Sequence, residues 1–537
     1  MIQLKVWTGV KKTSVLEKVF NPALSGTGLP HVFVQGDELP ICAQGELLYA
    51  LGDDNVKKLK AAGVVPKNFG IGKLREKVYP YGLGHAMVSW NPNLMEVDPS
   101  REPEVQWDAR LAARFLKTGT LDPVIGAYEY VTDFNKAFAD IKTAIAVGSP
   151  PIAVSLDLET IGFSPFAAKG EDFPGARIVS VAVTVNAGTA YVYRVPSSGM
   201  PPEGVLDQIR TLTSSPKVKL VGANLKFDNV WLIVQWGIEI KNHKFDTFLV
   251  GSLLNENIGN SLNMHAKMHT DMGGYDDGFN SKYDKGRMDL VLETSPAEFL
   301  TYAGGDTDAA LRVMVVQRNR LMNDPLLSNF YTQLVQPVSN AFARIEQRGV
   351  VVDVKRYDEL KIEVTAKLKE LETQALAMIP YKLRIKYKDN LSLSRPVLLK
   401  DFLFTPNGMN LKPMMYTEKA EESAKKKGKE KVGWEEASTS MDHLIYFQDN
   451  PEVAPFIAVM KEWGSAKKTL STYIEGFMKH LQTADSIRRT ISGTATMVVR
   501  TRGAAARRTP LTRPSPSTRS GRSRCGRCMC RRLVMRS

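Results

Sequence analysis

Three short acidic patterns follow one another along this chain: Asp157-Leu158-Glu159, then Asn224-Leu225-Lys226-Phe227-Asp228, then Tyr302-Ala303-Gly304-Gly305-Asp306. Together they offer the carboxylates of Asp157, Glu159, Asp228 and Asp306 and the phenol of Tyr302. Such a set suits hydrolysis of a phosphodiester, because two divalent cations held by carboxylates activate the attacking water and stabilise the departing oxygen. Hard oxygen ligands favour two magnesium or manganese ions over zinc. A D-x-E pattern alone is common in a chain with 57 acidic residues, and Tyr-x-x-x-Asp is weaker still. The ordered triple, and the elements beneath it, carry the argument.

In Ile152 to Glu159 the residues Ile152, Val154, Leu156 and Leu158 alternate with small or polar ones, which predicts a strand with Asp157 and Glu159 on one face. Lys217 to Ala223 reads as a second buried strand ending at Gly222. Asn224 then stands as the N-cap of a helix through Val230, Leu232 and Ile233, with Asp228 one turn in. Ser295-Pro296 is a helix-start signal, so Tyr302 and Asp306 lie four apart on one helical face. Gly304 and Gly305 weaken that helix by about 1 kcal/mol each relative to alanine; close packing against a neighbour or a substrate would account for them. Between the first two patterns, Ala176 to Val185 and Thr189 to Val195 read as strands joined by a hairpin at Asn186-Ala187-Gly188.

With these elements in order, Val221 to Asp228, Phe245-Asp246-Thr247 and Tyr302 to Asp306 resemble the 3′-to-5′ proofreading exonuclease of family A, DNA polymerase I-like enzymes, a ribonuclease H-like domain of the DEDDy group. The resemblance implies that Asp157, Glu159, Asp228 and Asp306 bind the two metal ions and that Tyr302 orients the attacking water. It also implies that Thr160, Asn224 and Phe227 face the 3′ terminal nucleotide. None of the five catalytic positions departs from the family pattern.

Downstream, Gln336-Pro337-Val338 and Arg344 to Asp353 are similar to the segment leading from that exonuclease into the polymerase domain. Asn390-Leu391-Ser392, Ala437-Ser438-Thr439-Ser440 and Leu470-Ser471-Thr472-Tyr473 resemble landmarks of the family's thumb, although each alone reads equally as a turn or cap. The run Ala424 to Lys431, with five lysines, is expected to be a solvated loop or to track a phosphate backbone. Gly493-Thr494-Ala495-Thr496 resembles the approach to the palm, but Met497-Val498-Val499 follow where the family has glycine and arginine.

Charge shifts sharply at the same place. Residues 486 to 537 contain no Asp or Glu and no lysine, but hold 14 of the chain's 71 basic residues. The rest of the chain is thereby left with 57 basic against 57 acidic residues, so the net charge of +14 resides in this tail. Without carboxylates it cannot build a nucleotidyl-transfer site, and polymerase activity is expected to be absent from this chain alone. Two readings stand for the tail: an arginine-rich arm for nucleic acid, or out-of-frame translation of a GC-rich gene, which explains arginine without lysine. Cys525, Cys528 and Cys530 lack a second ligand pair and a nearby histidine, which argues against zinc.

The first residues mix apolar runs such as His31 to Gly36 with helices expected around Glu46 to Leu51 and Ala109 to Phe115. Gly84 to Pro92 resembles a late motif of uracil-DNA glycosylase-like domains, but Asn91 stands near the position of that motif's histidine. A strand running into a turn at Asn91-Pro92 is the expectation instead.

At 537 residues and 43% hydrophobic there is material for three cores. No run of 18 apolar residues and no signal-peptide core is evident, so a cytoplasmic protein with no membrane partner is expected, in a phage host's cytoplasm if the gene is viral. The fold class expected is α/β: a small N-terminal α/β unit over 1–122, a ribonuclease H-like domain with a mixed sheet and flanking helices over 123–325, a mostly helical thumb-like region over 326–485, and a disordered basic tail over 486–537. The expected activity is metal-dependent removal of nucleotides from DNA with a single-stranded or frayed 3′ end. The alternatives are a non-catalytic DNA-binding fragment, or a subunit completed by a separate chain carrying the palm, and a free-standing exonuclease acting on RNA.

Overall fold

In the computed structural model the described residues are 3–8, 31–36, 38–166, 175–348, 350–351, 353–417, 420, 433–476, 481–483 and 489–491. The lysine run at 424–431, Gly493 to Thr496 and nearly all of the 486–537 tail, with its three cysteines, lie outside them.

A mixed sheet carries the acidic patterns. Its strands are β6 (Ala127–Val131), β7 (Ile152–Ile161), β8 (Arg177–Thr184), β9 (Thr189–Arg194), β10 (Val218–Gly222) and β11 (His243–Asp246), in the order β11-β10-β7-β8-β9-β6. Only β8 runs against its neighbours, pairing antiparallel with β7 and β9. The expected hairpin joins β8 to β9: Gly188 has φ +90° and the Thr189 amide donates to Asn186 O. One face of the sheet, with Leu156, Leu158, Val181 and Leu220, is covered by the helices Asn135–Val147, Glu203–Ser214 and Leu225–Trp236. The other face meets the 27-residue helix Pro296–Met322. Because side chains alternate along β7, burying Leu156 and Leu158 on the first face turns Asp157 and Glu159 to the second.

The N-terminal unit has its own five-stranded sheet. Strands β1 (Gln3–Thr8), β2 (His31–Val34), β3 (Glu46–Leu51), β4 (Tyr79–Tyr81) and β5 (Gly84–Ser89) stand in the order β2-β1-β3-β5-β4, parallel except for β4. The expected helix at Glu46 to Leu51 is therefore corrected to a central strand. It is paired with β1 and β5 and buried on both faces, so its leucine and alanine content marks a two-sided core position, and tertiary pairing overrides helix propensity. The helix at Ala109 to Phe115 is present within Glu102–Thr118. Strand β5 runs into a turn at Asn91-Pro92 as expected, with Asn91 Oδ1 accepting from the Asn93 amide at 3.0 Å. His85 is exposed and packs edge-on to Phe115.

Beyond residue 335 the chain is mostly helical. The helices Val354–Ala377, Pro396–Phe404 and Ala454–Lys468 enclose a separate apolar core around Phe402, Phe456 and Met460. Short strands at Val350–Val351, Leu481–Thr483 and Arg489–Ile491 form a small sheet. No helix among the described residues is long and apolar enough to cross a membrane.

Candidate functional site

Strand β7 delivers Asp157 and Glu159 to the face that the Pro296–Met322 helix covers, and that helix delivers Asp306. One carboxylate oxygen from each of the three lies within 4.8 Å of the others. Asp228 arrives from the first turn of the Leu225–Trp236 helix, and its Oδ1 accepts the Leu158 amide at 3.0 Å, between the first two acids in sequence. Tyr302 sits one turn before Asp306 and is 5% exposed. Three separate elements thus bring the five residues together.

Two glycines make the helix fit. A Cβ on Gly304 would stand 2.7 Å from Tyr128 Cγ, and one on Gly305 would stand 2.8 Å from Tyr275 Cδ2. Close packing against aromatic rings is what the glycines permit. Tyr275, brought close in this way, donates its hydroxyl to Asp306 Oδ1.

The start of the Leu225–Trp236 helix differs from expectation. Asn224 occupies the cap position, but its backbone is left-handed at φ 65° and its side chain makes no capping bond. Asp246, at the end of β11, supplies the cap: its Oδ1 and Oδ2 accept from the Asn224 and Leu225 amides, each at 3.0 Å. The same carboxylate caps the Thr247–Leu254 helix through Phe248 N at 3.0 Å and Leu249 N at 3.3 Å. One buried acid thereby satisfies four amides at two helix starts.

The three residues expected at the substrate lie on the elements that carry the acids, Thr160 on β7, and Asn224 and Phe227 at the start of the Leu225–Trp236 helix. Thr160 is buried, its hydroxyl donating to Gly162 O at 2.8 Å, just past a register shift in the β7–β8 pairing. Asn224 is exposed, while Phe227 is half-buried and tilted against Trp231 with ring centroids 6.0 Å apart.

Packing four acids together in a buried site drives protons onto them. Burial, then the charges of Asp228, Glu159 and Asp306, holds Asp157 well above the ordinary carboxylate range. Burial and Asp306 do the same to Glu159. Burial pushes Asp228 up to about 8, against the Leu158 amide, which lowers it. Asp306 rises to about 6, burial outweighing the Lys285 charge and the Tyr275 hydrogen bond. Burial and the neighbouring carboxylates also keep the Tyr302 phenol protonated far above neutrality. Like charges crowded in a buried site are what a divalent cation relieves, so the oxygen donors fit magnesium or manganese.

Sequence reasoning missed three contributors. Lys285 reaches the cluster from a loop, its ammonium 4.8 Å from the Tyr302 ring centroid and its charge acting on Asp157, Glu159 and Asp306. Phe279 stacks on Tyr302 with centroids 4.0 Å apart. Tyr275, the third, holds Asp306 through its hydroxyl. None of these carries a pattern of its own. Asp246 did, since Asp followed by Thr-Phe-Leu-Val is a helix-start signal.

The fold and site define an α/β protein with a buried four-carboxylate centre at the meeting of a mixed sheet and a long helix. DNA polymerase I of Rhizobium leguminosarum is 24% identical to the chain over 296 residues, covering 53% of this chain and 28% of that protein. DNA polymerase I of Bacillus subtilis (strain 168) is 30% identical over 47% of this chain and 25% of its own length. DNA polymerase of Bacillus phage SP01 is 24% identical over 57% of this chain and 35% of its own length. The chain is thus similar to several DNA polymerases over about half of its own length, and the matches span roughly a quarter to a third of these curated relatives. No protein-family profile matches the chain.

Proposed function

We propose that the chain is a metal-dependent 3′-to-5′ DNA exonuclease that removes terminal nucleotides from a single-stranded or frayed 3′ end. The observation that carries this reading is the convergence of Asp157, Glu159 and Asp306 oxygens within 4.8 Å, with Asp228 tied to the Leu158 amide beside them. Asp157, Glu159, Asp228 and Asp306 would hold two magnesium or manganese ions, which when bound supply Lewis-acid activation of water and stabilisation of the leaving 3′ oxygen.

The protein's own groups set the rest of the chemistry. Tyr302 stays a neutral phenol, so its hydroxyl can orient a water without adding negative charge beside a phosphate. Tyr275 donates its hydroxyl to Asp306 and fixes which way that carboxylate turns. Glu159, on the same face of β7 as Asp157, positions the water from the strand side. Thr160, Asn224 and Phe227 line the approach of the terminal nucleotide. Lys285 brings a positive charge to the rim, where it favours a phosphate backbone. DNA polymerase relatives favour DNA as the substrate class.

The test is a labelled single strand incubated with the protein in magnesium. Wild type should shorten it from the 3′ end, and Asp157→Ala and Asp306→Ala should abolish shortening while circular dichroism shows an intact fold. Full activity in either variant would sink the assignment.

A further inference from the structure

Tyr275, Phe279 and Lys285 all belong to one segment, Thr270 to Arg287, which joins the helix Leu262–His269 to the helix Met288–Thr294. Tyr275 donates its hydroxyl to Asp306, Phe279 stacks on the Tyr302 ring, and the Lys285 ammonium stands 4.8 Å from the centroid of that ring. Where this segment lies therefore decides how Asp306 and Tyr302 are held.

Apart from the short helix Asp277–Lys282 the segment is made of turns, so its position is set mainly by what holds its ends. The end near Arg287 is held by the nuclease sheet: Gly162 N donates to Gly286 O at 2.9 Å, and Ile161 bridges to Arg287. The other end is held by the N-terminal unit. Arg114, on the helix Glu102–Thr118 and 4% exposed, donates to Asp271 O at 2.7 Å and to Gly273 O at 3.2 and 3.3 Å. One turn earlier on the same helix, Arg110 donates to Met268 O.

The joint is also closely packed. A Cβ on Gly273 would stand 2.5 Å from Trp107 Cζ3 and 2.6 Å from Lys267 Cα, so the chain passes flat against the indole of the N-terminal unit. Gly274 then turns at φ +87°, a conformation that favours glycine. The Arg114 guanidinium lies 5.1 Å from the centroid of the Trp107 ring. All hydrogen bonds of the Arg114 side chain go to backbone carbonyls, Leu121 O at 2.9 Å in its own unit and the two across the joint. A buried guanidinium spent on carbonyls fixes the backbone that carries them, because its fork of donors is planar and rigid. Tyr275 follows Gly273 by two residues, and Phe279 by six.

We propose that the N-terminal unit is a positioning scaffold for the nuclease site, in which Arg114 sets, through the segment Thr270 to Arg287, where Tyr275 and Phe279 meet Asp306 and Tyr302. The inference deepens the nuclease reading and rests on it. Arg114 touches neither the acids nor the substrate; it is a positioning residue.

The experiment uses the full chain and follows shortening of a labelled single strand in magnesium. Arg114→Ala removes the anchor, and Gly273→Ala disturbs the joint from the nuclease side, so it carries the test should Arg114→Ala fail to fold. Each should lower kcat by about 10- to 100-fold, as displacement of a reacting-centre group by about 1 Å does, with KM within about twofold of wild type. Arg114→Lys, which keeps the charge but loses the fork, should recover part of the loss. Combined with Tyr275→Phe, the Arg114→Lys loss should be less than multiplicative, because both act on Asp306 through the same hydroxyl. Fluorine NMR of fluorotyrosine-labelled protein reads the geometry apart from activity: the Tyr275 and Tyr302 lines, assigned with Tyr275→Phe and Tyr302→Phe, should move in Arg114→Lys. Wild-type kcat in both Arg114→Ala and Gly273→Ala, a fully multiplicative loss with Tyr275→Phe, or unmoved lines overturns the positioning role. Lines that move in a protein whose wild type never shortens DNA support the positioning role and overturn the nuclease reading instead.

Discussion

Asp246 is the residue on which the site's geometry depends most, although it belongs to none of the three acidic patterns. Its carboxylate is 1% exposed and accepts four backbone amides, from Asn224, Leu225, Phe248 and Leu249. Replacing it with alanine removes the side-chain cap of two helices at once. A lost cap costs about 0.5–2 kcal/mol, so two cost about 1–4 kcal/mol, with burial placing the loss toward the upper end. Set against a typical stability of about 5–15 kcal/mol, this is a large fraction. Asp246→Asn keeps the Oδ1 acceptor and opposes an NH₂ to the Leu225 amide, so it should lose about half as much. Because Asp228 lies in the first turn of the helix so capped, exonuclease activity should fall in both variants before the fold is lost. Urea unfolding followed by far-UV circular dichroism measures the first effect, and 3′-end shortening in magnesium measures the second. An Asp246→Ala protein within about 0.5 kcal/mol of wild type would refute the reasoning, since that is the lower bound for losing even one cap.

Further expectations follow from the same contacts. Gly305→Ala should gain helix propensity of about 1 kcal/mol yet be net destabilising, because its Cβ would stand 2.8 Å from Tyr275 Cδ2 and overpacking costs about 1–3 kcal/mol; a raised melting temperature contradicts this. Tyr302→Phe should lower kcat by about 10²-fold or more with little change in melting temperature, the usual cost of removing a positioned hydroxyl at a reacting centre; steady-state kinetics decide. In metal-free protein the raised pKa of Asp228, about 8, means the fold holds a proton that the unfolded chain has already lost, so stability falls as pH rises from 7 to 9. Asp157 and Glu159, also held well above their ordinary range, add in the same direction. The buried histidines His265 and His269, lowered to about 4 and about 3, are neutral throughout that window and do not oppose it. Melting in EDTA at pH 7 and pH 9 should show the decline, and Asp228→Asn should flatten it; an equal slope in the variant contradicts the assignment.

Much of the site was legible because its acids sit on elements with strong local signals. The alternation in Ile152 to Glu159 fixed both the strand and the shared face of Asp157 and Glu159, and Ser295-Pro296 marked the helix that carries Tyr302 and Asp306. What was not legible depends on partners distant in sequence. Glu46 to Leu51 has helix-forming residues, and only the pairing of β1 and β5 on either side makes it a strand. Asn224 looks like a cap from its type, but the cap arrives from Asp246, 22 residues on, because β11 lies beside β10. Tyr275 and Lys285 come from segments between short helices, whose placement no periodicity encodes. The joint with the N-terminal unit was hidden for the same reason, since Trp107 and Arg114 reach it from the N-terminal sheet's own helix.

The most direct measurement of the central claim is time-resolved shortening of a 5′-labelled single-stranded DNA by the wild-type chain and by Asp306→Ala, in magnesium and in EDTA. Wild type should lose nucleotides stepwise from the 3′ end in magnesium only, and the variant should lose none. Shortening that survives EDTA, or that Asp306→Ala carries out at the wild-type rate, would contradict it.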